Sequence, residues 1–235
     1  MFLSGTLLNV GTVLAGGILG TLLGANLPEH LRANVVRGIG LFTLVLGVRG
    51  ALETQNILVL LFSILMGGLL GASLRLDARL NDLGDALQRR FAGRGGRVSE
   101  AFVTSSLVFC VGPLTFLGSI QNGLSGDAQL LEVKSVLDGF AALAFAATLG
   151  PGVLLSVGTI LVVQGGLAAG ASLFAGALSD PMVAEMSAAG GLLIIGIGLR
   201  LLELKDVRVA DFLPAIVVAP AIVAALAALG IPLAP

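Results

Sequence analysis

A lysine and an aspartate four residues apart, Lys134 and Asp138, lie in a chain whose composition suits lipid. Hydrophobic residues make up 56% of its 235 residues, charged residues only 11%, and the mean hydropathy is +1.04. Residues at i and i+4 share one face of a helix, so these two can form an ion pair. Because an ionisable group inside a bilayer is costly unless it is paired or hydrated, we interpret the pair as a site that meets a substrate, an ion or a proton. The alternative is a neutralised pair that only locks a helix in place.

The polar residues before this pair extend the candidate site. Gly112 and Pro113 interrupt an apolar helix and predict a kink or break, because proline lacks the N–H of the helical ladder. The carbonyl groups freed there could coordinate a cation, or neighbouring groups could satisfy them as at an ordinary proline kink. The stretch from Gly118 to Gly123 predicts a polar turn or re-entrant edge, lining a vestibule or forming an outer loop. Asp127 is expected to cap the following helix.

Gln164 is the polar residue that stands out in the second half of the chain. It falls about 20 Å along a predicted helix that begins at residue 151, given a rise of about 1.5 Å per residue. A buried amide in lipid needs hydrogen-bond partners, so Gln164 either bonds another helix or faces the charged pair. The candidate binding residues are therefore Lys134, Asp138, Ser135, Asn122, Gln121, Asp127, Gln164, Gly112 and Pro113.

Repeated apolar runs of about twenty residues predict helices long enough to cross a bilayer. Backbone groups in lipid must bond within their own segment, which favours helices over other spanning structures. We predict an all-α polytopic membrane protein with eight transmembrane helices in one integral membrane domain, residues 1–235. The predicted helices cover residues 4–25, 34–52, 55–75, 99–118, 128–149, 151–174, 184–202 and 210–230.

One long polar stretch separates two groups of predicted helices. Residues 76–98 carry five of the eleven arginines and have apolar residues at helical spacing, which predicts an amphipathic connector at the headgroups. A lipid-binding or sensing role is the alternative. Positively charged loops stay in the cytoplasm, so this stretch predicts both termini outside. In that topology only Arg49 and Lys134 among the basic residues fall on the outer side.

An internal repeat adds to the topology. Val10-Gly11-Thr12-Val13-Leu14 resembles Val157-Gly158-Thr159-Ile160-Leu161, and Gly47-Val48-Arg49 resembles Gly198-Leu199-Arg200. Residues 4–75 and 151–230 would form two repeats of three helices, inverted in the membrane, with the helices of 99–149 between them. Inverted repeats are typical of transporters, whose sites lie near the midplane. The alternative is an old duplication that now only packs.

The sequence lacks the motifs of several other classes of function. His30 is the single histidine and Cys110 the single cysteine, so the sequence predicts no metal site, no cofactor and no catalytic centre. The basic residues accompany no aromatic platform, so no nucleic-acid partner is expected. The expected partners are the lipid bilayer and a small solute or ion, and close packing of small residues leaves a homodimer open.

The whole chain resembles the YqgA/YdfK-like family of bacterial inner-membrane proteins, a domain of unknown function. The matching text is FCVGPLTFLGSIQNGLSGD at 109–127, LLEVKSVLDGFAALAFAATLG at 130–150, MSAAGGLLIIGIGLRLL at 186–202 and LPAIVVAPAI at 213–222. The N-terminal VGTVLAGGILGTLLG and LPEHLR also match. The resemblance implies a multi-pass inner-membrane protein and carries no activity with it.

From the residues themselves, the leading function is transport of a small solute or ion through a paired charged site near the bilayer midplane. A passive ion channel and a non-transporting membrane scaffold or sensor are the alternatives. An integral-membrane enzyme is not expected.

Overall fold

The computed structural model describes residues 3–24, 28–79, 82, 98–110, 113–174 and 178–233. Within those ranges every regular element is helical. The main helices are α1 (Ser4–Gly24), α2 (Glu29–Ala51), α3 (Ile57–Ser73), α4 (Val98–Cys110), α5 (Pro113–Ser125), α6 (Gln129–Leu149), α7 (Ser156–Ala169), α8 (Asp180–Leu201) and α9 (Ala215–Ala228). Short 3-10 segments, Pro151–Leu155 and Val209–Phe212, precede α7 and α9, and a single helical turn, Ala171–Phe174, follows α7.

The helices have the length and composition of membrane spans. Five stretches are long and apolar enough to cross a bilayer, and α4 with α5 makes a sixth if the two count as one span. These five are Ser4–Gly24, Ala33–Ala51, Pro151–Ala169, Asp180–Leu201 and Val209–Ala228. Large apolar side chains are exposed on the helices, with Leu69 and Val162 each 74% exposed, as a lipid-facing surface requires. The chain is therefore a membrane protein, and the predicted all-helical architecture is confirmed at that level.

The helix predicted over 99–118 is broken, as the glycine and proline at its centre suggested. Helix α4 ends at Cys110 and α5 begins at Pro113, where a missing N–H is tolerated because the first turn of a helix has no partner for it. The axes of the two segments are inclined by 61°. Of the two alternatives predicted for Gly118 to Gly123, the polar turn is wrong, because α5 continues as helix to Ser125, and the re-entrant edge stays a prediction. Gly112 and most of the predicted connector, residues 80–81 and 83–97, lie outside the described residues.

The chain divides into two compact units. Unit 1 comprises residues 1–39, 80–110 and 114–175, and therefore holds α1, α4, α5, α6 and α7. Unit 2 comprises residues 40–79, 111–113 and 176–235, and holds most of α2 together with α3, α8 and α9. Every candidate site residue except Gly112 and Pro113 belongs to unit 1.

Glycines bring α1 close to α6 in unit 1. Gly16, Gly20 and Gly24, one turn apart on α1, face backbone carbonyl oxygens of α6, and a Cβ at any of them would overlap the facing oxygen. The carbonyls that they meet belong to Gly139, Leu143 and Ala147 in that order. Residue numbers rise together along both helices, so α1 and α6 run parallel. Such close contact is typical of membrane helices, whose association depends on van der Waals packing between small residues.

Unit 2 is built on the same kind of contact between antiparallel helices. Gly47 and Gly50 of α2 lie against Gly191, in the middle of α8. Gly40, nearer the start of α2, lies against Leu202, directly after the end of α8. Helix α3 meets α9 and the 3-10 segment before it in the same antiparallel sense, with Gly67 against Ala215 and Gly71 against the Asp211 carbonyl. The core between these helices consists mostly of small side chains: Leu60, Ala188, Ala189, Ala215 and Ala219.

Two glycines of α1 provide a matched test of this packing. We expect Gly20→Ala to lower the free energy of unfolding by about 1–3 kcal/mol, because the new methyl group overlaps the Leu143 carbonyl. Gly11 has open space where its Cβ would be, so Gly11→Ala is expected to be neutral or to stabilise by about 0.5–1 kcal/mol. Thermal unfolding can be followed in detergent with a thiol-reactive dye, because the single cysteine, Cys110, is buried. Equal midpoints for the two variants would contradict the proposed contact.

Candidate functional site

Helix α6 has its polar face inside and its apolar face outside. Val133, Leu137 and Phe140 are exposed, with Phe140 72% exposed, whereas Lys134 and Asp138 are 5% and 6% exposed. A helix at the surface of a soluble protein has the opposite arrangement. The sequence of α6 therefore fits lipid on one side and a polar protein interior on the other.

The two charged side chains of α6 form a buried ion pair. The Lys134 ammonium donates to Asp138 Oδ2, and the two side chains are 6% and 9% exposed. Asn9 of α1 donates from Nδ2 to the same Asp138 oxygen at 2.9 Å. The carboxylate is thus held by one charged and one neutral donor from two helices, and the net charge of the pair is zero.

Asn122 links α5 to the beginning of α1. Its Oδ1 accepts a hydrogen bond from the Gly5 N–H, and its Nδ2 donates to Ser4 Oγ, both at 3.2 Å. The first N–H groups of a helix have no intrahelical acceptor, so this contact satisfies one of them. Asn122 is fully buried and so fixes the first turn of α1 against α5.

Several buried polar atoms of unit 1 have no hydrogen-bond partner among the described residues. They are Thr6 Oγ1, Asn9 Oδ1, Ser119 Oγ and both amide atoms of Gln164. Each of these side chains is at most 1% exposed. Buried polar groups in folded proteins are nearly always hydrogen-bonded, so a cluster of unpartnered groups indicates a place for a ligand or water.

Helix register places these groups at one level of α1. Gly17 of α1 packs against Leu154, just before α7, and Leu3 lies nearest Gly165 of α7. Residue numbers therefore fall along one helix as they rise along the other, so α7 runs antiparallel to α1. In this register Gln164 lies near the level of Thr6. Asn122 contacts Gly5.

Helices α4 and α5 both contact α7. Ser106 Oγ of α4 lies 2.9 Å from Thr159 Oγ1 of α7. Gly123 of α5 contacts the Ala168 carbonyl, which lies further along α7. Helix α4 therefore runs in the direction of α7 and opposite to α1, and α5 is inclined to α4 by 61°. Gly118 of α5 lies against Leu131, as Gly5 of α1 does, so the next residue, Ser119, falls near the level of Gly5. The unpartnered groups and the ion pair thus fall within about two helical turns of one another along the axis of α1.

Other predicted site residues lie away from this cluster. Gln121 Nε2 donates to Asp127 Oδ2 at 2.7 Å, at the exposed end of α5. Asp127 Oδ1 accepts from the Gln129 N–H at 3.0 Å and so caps the start of α6 as predicted, although the residue directly before the helix is Ala128. Ser135 Oγ donates to the Leu131 carbonyl of its own helix at 2.6 Å, so its hydroxyl hydrogen is already used.

The break between α4 and α5 has one carbonyl with an identified donor. Thr115 Oγ1 donates to the Phe109 carbonyl at 3.3 Å. Pro113 is the first residue of α5. Cys110, the last residue of α4, lies close enough to Lys134 and Asp138 for both charges to act on its thiol.

Sequence reasoning missed Asn9 and Thr6, and it included Ser119 in the polar stretch of residues 118–123 without naming it as a binding residue. Asn9 and Thr6 are one turn apart in an apolar run, and that spacing could have predicted a shared polar face. No feature of the sequence alone indicated that Asn9 would meet Asp138, because the two residues are 129 positions apart.

A second buried carboxylate, Glu185 of α8, lies in unit 2 and is fully partnered. Its Oε1 accepts from the backbone N–H groups of Gln55 and Asn56 at 2.7 and 2.9 Å, and Thr54 Oγ1 donates to the carboxylate at 2.9 Å. Glu185 thereby anchors the loop between α2 and α3. In that loop, burial raises the pKa of the Glu53 carboxyl, and the Ser187 hydroxyl and the Arg49 guanidinium oppose this rise.

A family described as "Protein of unknown function (DUF554)" matches residues 4–224. The chain belongs to this family. It is 32% identical over 220 residues to the uncharacterized protein YqgA of Escherichia coli K12, covering 92% of this chain and 94% of that protein. It is 26% identical over 233 residues to the uncharacterized membrane protein YdfK of Bacillus subtilis 168, covering 97% and 98%. No solved structure matches.

The family assignment confirms the resemblance read from the sequence. The Bacillus relative is described as a membrane protein, in agreement with the apolar helices of this chain. Neither relative's name states an activity, so the site must be interpreted from its own geometry.

Removing one partner of the ion pair tests its burial. We expect Lys134→Met to lower the free energy of unfolding by about 3–5 kcal/mol, because Asp138 would remain as an uncompensated buried charge. The double variant Lys134→Met/Asp138→Leu is expected to recover most of that loss, since apolar residues often replace a buried pair without penalty.

The measurement is the thermal midpoint reported by the Cys110 thiol. The control is Lys205→Met, because Lys205 is exposed and its substitution should leave the midpoint unchanged. A double variant less stable than Lys134→Met would argue against the pair as the source of the effect.

Proposed function

We propose that this protein transports a small solute or ion across the bacterial inner membrane through the polar cluster of unit 1. The observation that carries the proposal is a buried ion pair that shares a unit, and nearly a level along α1, with buried polar groups that have no partner among the described residues. A pair that only locked a helix would need no unpartnered amides and hydroxyls at its level. Such groups are costly in an apolar interior and are typical of substrate or ion pathways in membrane proteins.

Two further helices complete a proposed set of eight spans. Helix α3 has 17 residues and a high mean hydropathy, and at about 1.5 Å per residue it is nearly long enough for the hydrocarbon layer. Helix α6 has 21 residues but carries Glu132, Lys134 and Asp138. Glu132 is near its first turn and the other two charges neutralise each other, so α6 is also suited to span. Helices α4 and α5 together make one broken span.

Helix directions support this topology. If all eight spans alternate, α1 and α6 must run parallel, α7 must run opposite to α1, and α8 and α9 must oppose α2 and α3. Each of these relations holds within its own unit. With the basic stretch of residues 76–98 in the cytoplasm, both termini are then outside.

Contacts between α2 and α8 support the inverted repeat. Gly47 packs against Ile195, and Gly198 packs against Leu44. The same 151 positions separate Leu44 from Ile195 and Gly47 from Gly198, so the two contacts are equivalent under the repeat read from the sequence. Equivalent contacts of this kind are expected when two copies are related by an axis in the membrane plane, as in many transporters.

Reporter fusions test the eight-span topology. Alkaline phosphatase fused after residue 233 should be active, because it would be exported, and green fluorescent protein at the same position should be dark. After residue 205 the two results should be reversed. The same reporter response at both positions would show that the proposed last span does not cross the membrane.

A ligand screen tests the transport site. Purified protein would be heated with sodium, potassium, chloride, phosphate, amino acids, carboxylates, sugars, amides and urea, and unfolding would be followed through Cys110. At least one ligand should raise the midpoint, and Asp138→Asn should abolish the shift. The control Asp206→Asn should keep it, because Asp206 is exposed and pairs with Arg200.

Flux then separates the mechanisms. The ligand found by the screen should enter proteoliposomes that contain the wild-type protein at least tenfold faster than vesicles with Asp138→Asn. Single-channel currents in a planar bilayer would indicate a channel instead of a carrier. If no ligand raises the unfolding midpoint in a way that Asp138→Asn abolishes, and no solute flux is found, the protein is a membrane scaffold or sensor.

A further inference from the structure

We propose that the polar cluster of unit 1 binds an uncharged solute that both donates and accepts hydrogen bonds, such as a small carboxamide or urea. This inference rests on the proposed transport function and names the class of its substrate. The cluster comprises Lys134 and Asp138 with the unpartnered groups of Thr6, Asn9, Ser119 and Gln164.

The charge of the cluster favours an uncharged ligand. Among the described residues, Lys134 is the sole buried lysine or arginine, and its ammonium is bonded to Asp138. Helices α1, α5 and α7 carry no ionisable side chain, and Glu132, the third charged residue of α6, is exposed. The site is therefore balanced before any ligand enters. A bound cation or anion would add a net charge to an apolar interior, where an isolated charge is strongly disfavoured.

The free hydrogen-bonding groups also fit such a solute. Asn9 Oδ1 and Gln164 Oε1 can only accept, Gln164 Nε2 can only donate, and the hydroxyls of Thr6 and Ser119 can do either. An alkali cation would use only the oxygens and leave the Gln164 NH₂ group unpartnered. A carboxamide or urea carries a carbonyl acceptor and N–H donors, so it can pair with both kinds of group.

The ammonium of Lys134 adds a donor of the right kind. It has three N–H bonds, and among the described residues its one acceptor is the Asp138 carboxylate. A hydrogen bond from a charged donor to a carbonyl is stronger than one from a neutral donor. The ion pair can thus bind the carbonyl of an uncharged solute without opening.

Two pairs of similarly shaped molecules test the inference: urea with guanidinium, and acetamide with acetate. In the wild-type protein, urea and acetamide should each raise the Cys110 unfolding midpoint at concentrations at least tenfold lower than their charged counterparts. They should also enter proteoliposomes at least tenfold faster than control vesicles, as measured by stopped-flow light scattering. Choline chloride at the concentration of the guanidinium salt corrects for ionic strength.

Charge variants should change the selectivity in opposite directions. Lys134→Gln leaves the site at −1 and should favour guanidinium over urea, whereas Asp138→Asn leaves it at +1 and should favour acetate over acetamide. If either single variant fails to fold, Lys134→Gln/Asp138→Asn keeps the net charge at zero and should still prefer the uncharged molecules.

Hydroxyl and amide variants test the unpartnered groups directly. Ser119→Ala and Gln164→Leu should each weaken binding of the uncharged molecule at least tenfold. Ser63→Ala is the matched control, because Ser63 is equally buried but donates to the Val59 carbonyl of its own helix, so binding should be unchanged.

Each outcome separates the substrate class from transport itself. If guanidinium or acetate binds the wild-type protein more tightly than its uncharged counterpart, the substrate class is wrong and the transport site stands. If the ligand screen finds only charged ligands that depend on Asp138, the conclusion is the same. If no ligand of either kind binds and no solute enters the vesicles, both the class and the transport function are overturned.

Discussion

The ion pair between Lys134 and Asp138 is the constraint on which unit 1 depends. Two charges on one helix cannot face lipid, so α6 turns them inward and exposes Val133, Leu137 and Phe140 instead. The neighbouring helices must then supply polar groups on the inside, which α1 does with Asn9. A helix with this inverted pattern would be unstable at the surface of a soluble protein, so the position of the pair and the lipid environment imply each other.

The glycines of α1 make the polar contact with α6 possible. An asparagine side chain is short, and Asn9 reaches Asp138 only because the two backbones approach closely. Gly16, Gly20 and Gly24 permit that approach by leaving room for the carbonyl oxygens of α6. Packing and polarity are therefore coupled along one interface. The small residues set the distance between α1 and α6, and the hydrogen bond from Asn9 to Asp138 forms at that distance.

Much of this arrangement could be predicted from sequence, and the remainder depends on distant residues. Periodicity and run length predicted the helices to within a few residues in most cases, because lipid imposes strong length and composition rules. The break at Pro113 followed from the missing N–H of proline. The turn, one of two alternatives predicted from Gly118 to Gly123, was wrong, since glycine in a membrane helix often marks close packing, and Gly123 lies against Ala168. The partner of Asp138 could not be predicted, because helix pairing joins residues that local pattern does not connect.

Two of the buried carboxylates, Asp138 and Glu185, show how structure and function can be distinguished. Glu185 accepts from two backbone N–H groups and from Thr54, so its surroundings provide the partners that a buried charge needs. Such a carboxylate is an anchor, and its donors hold the loop between α2 and α3. Asp138 is also bonded, but Gln164 and Ser119 of the same unit are buried without partners among the described residues. A purely structural site would be expected to satisfy these amide and hydroxyl groups, as the Glu185 site does. The open amide and hydroxyl groups of unit 1 are therefore the basis of the binding site that we propose there, whereas Glu185 has the partners of an anchor.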